Sequence, residues 1–146
     1  MKICFRRSAT TILIGYSLLL SYWMLWGFGR RVHSEYMYNL KPLSTIKHFM
    51  QISSFNSNTW MINLAGNIGV FVPFGVLIPL IFGKKYTKLV IIFLSGLSIL
   101  EILQLITRRG SFDIDDFILN TLGATIGYGI YRIVRWWFYL KRGGIT

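Results

Sequence analysis

The chain has 146 residues, of which 53% are hydrophobic and only 14% are charged, and its mean hydropathy is +0.52. Soluble domains carry about 25% charged residues, so the composition excludes an ordinary soluble domain and predicts a small all-α polytopic membrane protein forming one domain over residues 1–146. The net charge of +11 would suit a nucleic-acid-binding protein, but the basic residues cluster where apolar runs end and no nucleic-acid motif accompanies them. We interpret them as topology signals and contacts with anionic lipids, and we expect no nucleic-acid partner.

The first predicted span covers about residues 9–29. It follows Lys2, Arg6 and Arg7 and ends in aromatic residues and a second basic pair. A charged start followed by an apolar run also describes a signal peptide. The run is long for a signal sequence and ends in an aromatic belt, which favours an uncleaved membrane span.

A polar loop is predicted over residues 30–60. Its segment Leu43–Phe55 has mixed polarity, which predicts a short helix at the membrane surface in the first outer loop, with Pro42 at the preceding turn. The chain's one cysteine excludes an intrachain disulfide, and its two histidines lack the spacing of metal ligands. We therefore expect no metal site and no cofactor.

The second predicted span, residues 60–82, contains two asparagines and two prolines. Asn63 and Asn67 are four residues apart and share one helix face. Hydrogen bonding between helices is the favoured role for these amides, and direct contact with a ligand is the alternative. Pro73 and Pro79 predict kinks and free carbonyls that neighbouring helices or water must satisfy, so this span faces protein as well as lipid.

Polar residues recur at three- or four-residue spacing along the third predicted span, residues 89–107. Glu101 and Gln104 belong to this stripe, which continues to Arg108. Glu101 lies about two turns inside the span from Arg108, so it needs a basic group, an amide or a proton. Arg30 and Arg108 are the two candidate partners.

The fourth predicted span covers about residues 115–138. Asp113 and Asp116 can cap its N-terminus and complement the helix dipole. Gly123 and Gly127 form a small-xxx-small pattern, which serves close helix packing either between two chains or inside one.

Four spans place both termini on the same side of the membrane. With the N-terminus inside, ten basic residues flank the inner ends and six the outer ends. This asymmetry predicts cytoplasmic termini and places the acidic cluster at the outer face.

Four of the five acidic residues lie between Glu101 and Asp116. They form either a buried ion-pair network that fixes helix register or a ligand site, since intramembrane charges mark functional sites. Carboxylates can bind a divalent cation or act in general acid–base catalysis, and arginines can bind a phosphate. The spacing of these residues is not diagnostic of any of these roles. The candidate polar pocket consists of Arg30, Asn63, Asn67, Glu101, Gln104, Arg108, Arg109, Asp113, Asp116 and Asn120.

Five motifs together resemble the VanZ-like family of bacterial membrane proteins. They are the segment Asn39-Leu40-x-Pro42-Leu43, the run NLAGNIGVFVPFGVLIP ending at Pro79, the segment EILQ beginning at Glu101, then Arg109, and the run DIDDFILNTLGATIGYG beginning at Asp113. They cover most of residues 39–129. One departure is Leu43, where the family often has an aromatic residue.

The resemblance implies a four-helix protein of the bacterial plasma membrane. The family's founding member is linked to resistance to the glycopeptide teicoplanin, without a settled mechanism. The implied partners, besides membrane lipids, are lipid-linked peptidoglycan precursor or the glycopeptide antibiotic itself. The chain lacks a recognisable nucleophile or cofactor motif, so a non-enzymatic interaction is favoured over an enzyme that acts on a lipid-linked phosphate or sugar through Glu101 and Asp116. A transporter is a third possibility and would require oligomers, and the oligomeric state stays open.

Overall fold

The computed structural model describes residues 2–27, 30–44, 46–47 and 65–143. Its elements in chain order are α1 (Lys2–Trp26), β1 (Met37–Asn39), α2 (Val72–Phe82), α3 (Tyr86–Thr107), β2 (Ser111–Asp113) and α4 (Ile114–Gly143). Most of the predicted surface helix and the first part of the second predicted span, with Asn63, lie outside the described residues. Residues 44, 46 and 47 are helical, where the surface helix was expected to begin.

Within this part of the chain, three helices are long and apolar enough to cross a membrane: Cys4–Trp26, Ala65–Phe82 and Tyr86–Thr107. Each overlaps a predicted span, although α1 and α3 begin earlier than expected. The fourth predicted span falls in α4, which is not among the three. Charged residues at both ends of α4 confine its uncharged stretch to residues 117–131.

The second span is interrupted at residues 70–71, as its prolines predicted. A helix over residues 65–69 ends in a turn, and α2 begins with Pro73 as its second residue. The Phe74 N–H bonds to the Phe71 carbonyl, and so leaves the Val70 carbonyl free of its usual helical partner. The Tyr16 hydroxyl donates to that carbonyl at 2.7 Å, so α1 satisfies the acceptor that the break releases.

Glycines allow the backbones of α2 and α4 to touch. A Cβ at Gly123 would meet the Ile68 carbonyl oxygen, and one at Gly127 would meet that of Val72. Gly75 of α2 is equally tight against the Ala124 carbonyl. The small-xxx-small pattern therefore serves packing inside one chain, and it has a matching glycine on the opposing helix.

The core lies between α1, α2, α3 and α4. Phe71 and Phe93 pack edge to face with ring centroids 5.7 Å apart, and Phe74 lies within 6.0 Å of both. The remaining buried members of the cluster are Leu20, Ile78, Leu89, Leu97 and Ala124. These residues come from all four helices, so the cluster holds the helices together along their length.

A short parallel strand pair, which the sequence did not lead us to expect, joins the loop after α1 to the link between α3 and α4. Its register places Met37 opposite Ser111 and Asn39 opposite Asp113. The His33 N–H also donates to the Arg108 carbonyl at 2.8 Å. These contacts fix the two loops over the end of α3 that carries Glu101.

Candidate functional site

Glu101 is the most deeply buried charged side chain of the candidate pocket, with 0% of its surface exposed. Among the described residues, neither carboxylate oxygen has a hydrogen-bond partner in good geometry, although the Asp113 backbone lies close. Arg30, Asp113 and Asp116 are near enough to act on it electrostatically. A buried carboxylate is costly unless it has a partner, so Glu101 is the residue of the cluster that is most suited to meet a donor from a ligand.

Arg30 and Gln104 lie side by side next to Glu101, over Gly110. A Cβ at Gly110 would lie 2.8 Å from Arg30 Nη1 and 3.1 Å from Gln104 Nε2, so a glycine makes room for both. Arg30 Nη1 donates to the Arg109 carbonyl at 3.2 Å. Gln104, 3% exposed, donates to the Met24 carbonyl at 2.8 Å and so links α3 to the end of α1.

Asp113 and Asp115 hold the start of α4 and the loop that crosses it. The Asp113 carboxylate accepts the Asp115 N–H at 2.9 Å, which confirms its predicted role as a helix cap. It also accepts a bond from the Asn39 amide at 3.3 Å. Asp115 is fully buried and accepts the backbone N–H groups of Leu43 and Ile46. These two carboxylates therefore have structural partners.

Asp116 faces the second span, where it accepts a hydrogen bond from Asn67 at 3.3 Å instead of capping α4. Asn120 follows one turn later on the same face of α4 and is 3% exposed. Its Oδ1 has no hydrogen-bond partner among the residues that the structure describes. This side of the site thus presents a second buried, unpaired acceptor.

Arg108 and Arg109 lie at the rim and not beside Glu101. Arg108 donates to the Ser34 carbonyl at 3.1 Å and stacks over the Tyr36 ring. Arg109 stacks over the Trp26 ring with 5.6 Å between Cζ and the centroid. Of the two predicted partners for Glu101, the structure therefore brings Arg30 close and directs Arg108 to the loop.

Three residues matter here that were not among the candidates. Asp115 belonged to the acidic run but was not included among the candidate pocket residues. Its burial depends on a loop that is distant in sequence. Asn39 belonged to a family motif, and its partner Asp113 became evident only through the strand register. In the sequence, Gly110 indicated only the end of the third predicted span.

The polar cluster, defined as Arg30, Asn67, Glu101, Gln104, Asp113, Asp116 and Asn120, combines one guanidinium with several buried acceptors. Glu101 and Asn120 can accept hydrogen bonds from ligand hydroxyl, amide or ammonium groups. Arg30 can bind a carboxylate or a phosphate. The described residues contain no group of three His, Cys, Asp or Glu side chains that could hold a metal ion.

An apolar cavity of about 290 Å³ lies between α1, α2 and α3, and none of its described lining residues belongs to the polar cluster. Leu100, which lines it, precedes Glu101, and Ser21 lies about one turn before the Met24 carbonyl that binds Gln104. Other lining residues are Leu13, Phe74, Ile78, Ile92 and Leu97. A polar site and an apolar cavity thus follow one another along the helices.

A family model described as VanZ/LLP1 matches residues 9–135 of the chain. No match was found among curated proteins or among solved structures. The matched region includes every candidate residue of the polar cluster.

Proposed function

Because the chain belongs to the VanZ/LLP1 family, we propose that it lowers bacterial susceptibility to the lipoglycopeptide teicoplanin. It does so as an integral membrane protein, through a non-enzymatic interaction at the outer membrane face with the drug or with lipid-linked cell-wall precursor. The observation that carries the proposal is the buried Glu101 carboxylate, which lies beside Arg30 without a hydrogen-bond partner among the described residues. Such a group is suited to bind donors of a peptide or sugar ligand.

The apolar cavity supports a ligand that carries a hydrocarbon chain. A ligand whose head group contacts Glu101 and Arg30 would place an attached chain along α3 toward Leu100 and Leu97. Burial of a hydrocarbon chain there contributes about 0.8 kcal/mol of favourable binding free energy per methylene group. Both a lipid-linked precursor and a lipidated drug have this combination of polar head and apolar chain.

In this proposal α4 is a fourth span and both termini are cytoplasmic. The face of α4 that carries Gly123 and Gly127 packs along the second span. An exposed apolar stripe runs along α4 and is suited to lipid contact: Ile118, Leu122, Ile126, Ile130 and Ile133. The excess of basic residues at the opposite end from Glu101 supports cytoplasmic termini.

The test is a deletion strain complemented with variants that reach the membrane in equal amounts. Glu101→Gln should lower teicoplanin protection to the level of the deletion strain, because a neutral amide replaces the buried carboxylate. Glu35→Gln is the matched control, since Glu35 is exposed and outside the cluster. Vancomycin susceptibility, measured in parallel, shows whether the lipid tail of the drug matters. Full protection by Glu101→Gln would make the carboxylate structural and would contradict the proposal.

An enzyme acting on a lipid-linked phosphate or sugar is the alternative function. It is supported by two carboxylates, Glu101 and Asp116, that lie within electrostatic range of one another and of Arg30. Purified protein in nanodiscs, incubated with labelled lipid precursor with and without a divalent cation, should give no product if the non-enzymatic proposal is right. Turnover that Asp116→Asn abolishes would favour the enzyme.

A further inference from the structure

The end of the molecule opposite Glu101 carries a cleft of about 700 Å³ lined by basic and aromatic side chains. Lys84 comes from the turn between α2 and α3, whereas Arg132 and Arg135 come from α4. Trp136, Phe138 and Tyr139 form the rest of the lining. Basic residues from two elements therefore converge on one cavity.

Several contacts hold the two elements of this cleft together. The Tyr128 hydroxyl donates to the Lys84 carbonyl at 2.8 Å, and the Tyr86 hydroxyl lies 2.9 Å from the Thr125 hydroxyl. The Tyr86 and Tyr128 rings also pack with centroids 5.2 Å apart. The position of Lys84 relative to α4 is thus fixed by the fold.

Among the described residues, no acidic side chain lies close to these cations. The acidic residues of the chain are Glu35, Glu101, Asp113, Asp115 and Asp116. Along α4, Asp116 lies about 24 Å from Arg132, and along α3, Glu101 lies about 22 Å from Tyr86, at 1.5 Å per residue. Both distances exceed the Debye length of about 8–10 Å, so the cleft attracts an external anion.

We propose that this cleft binds the phosphate head group of an anionic phospholipid. Arg132 and Arg135 hold the phosphate oxygens, Lys84 contributes a third positive charge, and the aromatic side chains lie at the level of the glycerol and upper acyl region. The general bias of basic residues toward cytoplasmic loops would explain why this end of the molecule carries many basic residues. It would not explain why Lys84, Arg132 and Arg135 line the same aromatic cleft. The inference is independent of the function proposed for the polar cluster.

The test titrates the purified full chain in neutral detergent with phosphatidylglycerol or phosphatidylcholine and counts bound lipids by native mass spectrometry. Wild-type protein should retain phosphatidylglycerol preferentially. Neutralisation of Lys84, Arg132 and Arg135 together to Gln should weaken that binding by at least about tenfold, since each basic residue near an anionic lipid surface contributes about fivefold. Inorganic phosphate should not compete at equal concentration.

Two further variants keep the test specific. The triple variant Arg31→Gln, Lys41→Gln, Lys47→Gln removes the same charge from the loop after α1 and should weaken phosphatidylglycerol binding less than the cleft variant does. The double variant Arg132→Lys, Arg135→Lys retains the charge and should bind phosphatidylglycerol more tightly than the triple Gln variant of the cleft. Circular dichroism checks that the triple Gln variant is folded. Equal losses in the two triple variants, equal binding of the two lipids by wild type, or effective competition by inorganic phosphate would each overturn the proposal.

Discussion

Replacing Gly127 by alanine should separate α2 from α4. A Cβ at Gly127 would press on the Val72 carbonyl oxygen and would lie 3.0 Å from Gly75 Cα. Carbon atoms in contact prefer about 3.5–4.0 Å, and both obstacles are backbone, so the helices must move apart by on the order of 1 Å. Overpacking of this kind destabilises a fold by about 1–3 kcal/mol.

Gly129→Ala is the matched control, because a Cβ at Gly129 meets nothing within 4 Å. Both variants gain about 1 kcal/mol of helix propensity, so this gain cancels when they are compared with each other. Thermal unfolding of the purified variants, followed by circular dichroism in one detergent, should place the Tm of Gly127→Ala roughly 3–10 °C below that of Gly129→Ala. Equal Tm values would refute the close backbone contact and, with it, the placement of α4 against the second span.

Two further substitutions test the contacts that position the polar cluster. Tyr16→Phe should lower the free energy of unfolding by about 1 kcal/mol, because the Val70 carbonyl loses its donor, whereas Tyr22→Phe on the exposed face of the same helix should not. Asp115→Ala should release the loop segment that carries Leu43 and Ile46, because their backbone N–H groups lose their acceptor, and limited proteolysis should then cut this segment faster than in Glu35→Ala. Indistinguishable unfolding of the two Tyr variants, or equal cleavage of the two acidic variants, would argue against these contacts.

The spans of the second and third helices were predictable because their apolar runs are long and end in Gly, Lys and Arg. The break near Pro73 was predictable for a local reason, since proline has no N–H to donate. The tie from Tyr16 to the freed carbonyl was not, because nothing near Tyr16 in sequence indicates a partner 54 residues away. Likewise, the small-xxx-small pattern of α4 was evident in the sequence, whereas the role of Gly75 is evident only from its close contact with α4.

In the site, the burial of Glu101 followed from its depth in an apolar run. The identity of its basic neighbour did not follow. Arg108 was a candidate on the same helix and Arg30 at the end of the first span, and only the tertiary arrangement directs Arg108 to the loop. The capping role of Asp113 was a local feature and was predicted correctly. The role of Asp115 depends on the Leu43 and Ile46 N–H groups, which no pattern within the acidic run indicates.

The parallel pairing of β1 with β2 also orders the events of biogenesis. Asn39 and Asp113 are 74 residues apart, so the loop after the first helix has no strand to pair with until the segment after α3 has been synthesised. In chain order, Arg30 precedes Glu101, and Asp113, Asp115 and Asp116 follow it. Arg30 is therefore the charged member of the cluster that is synthesised before Glu101, and the cluster can be completed only after the start of α4 has been synthesised.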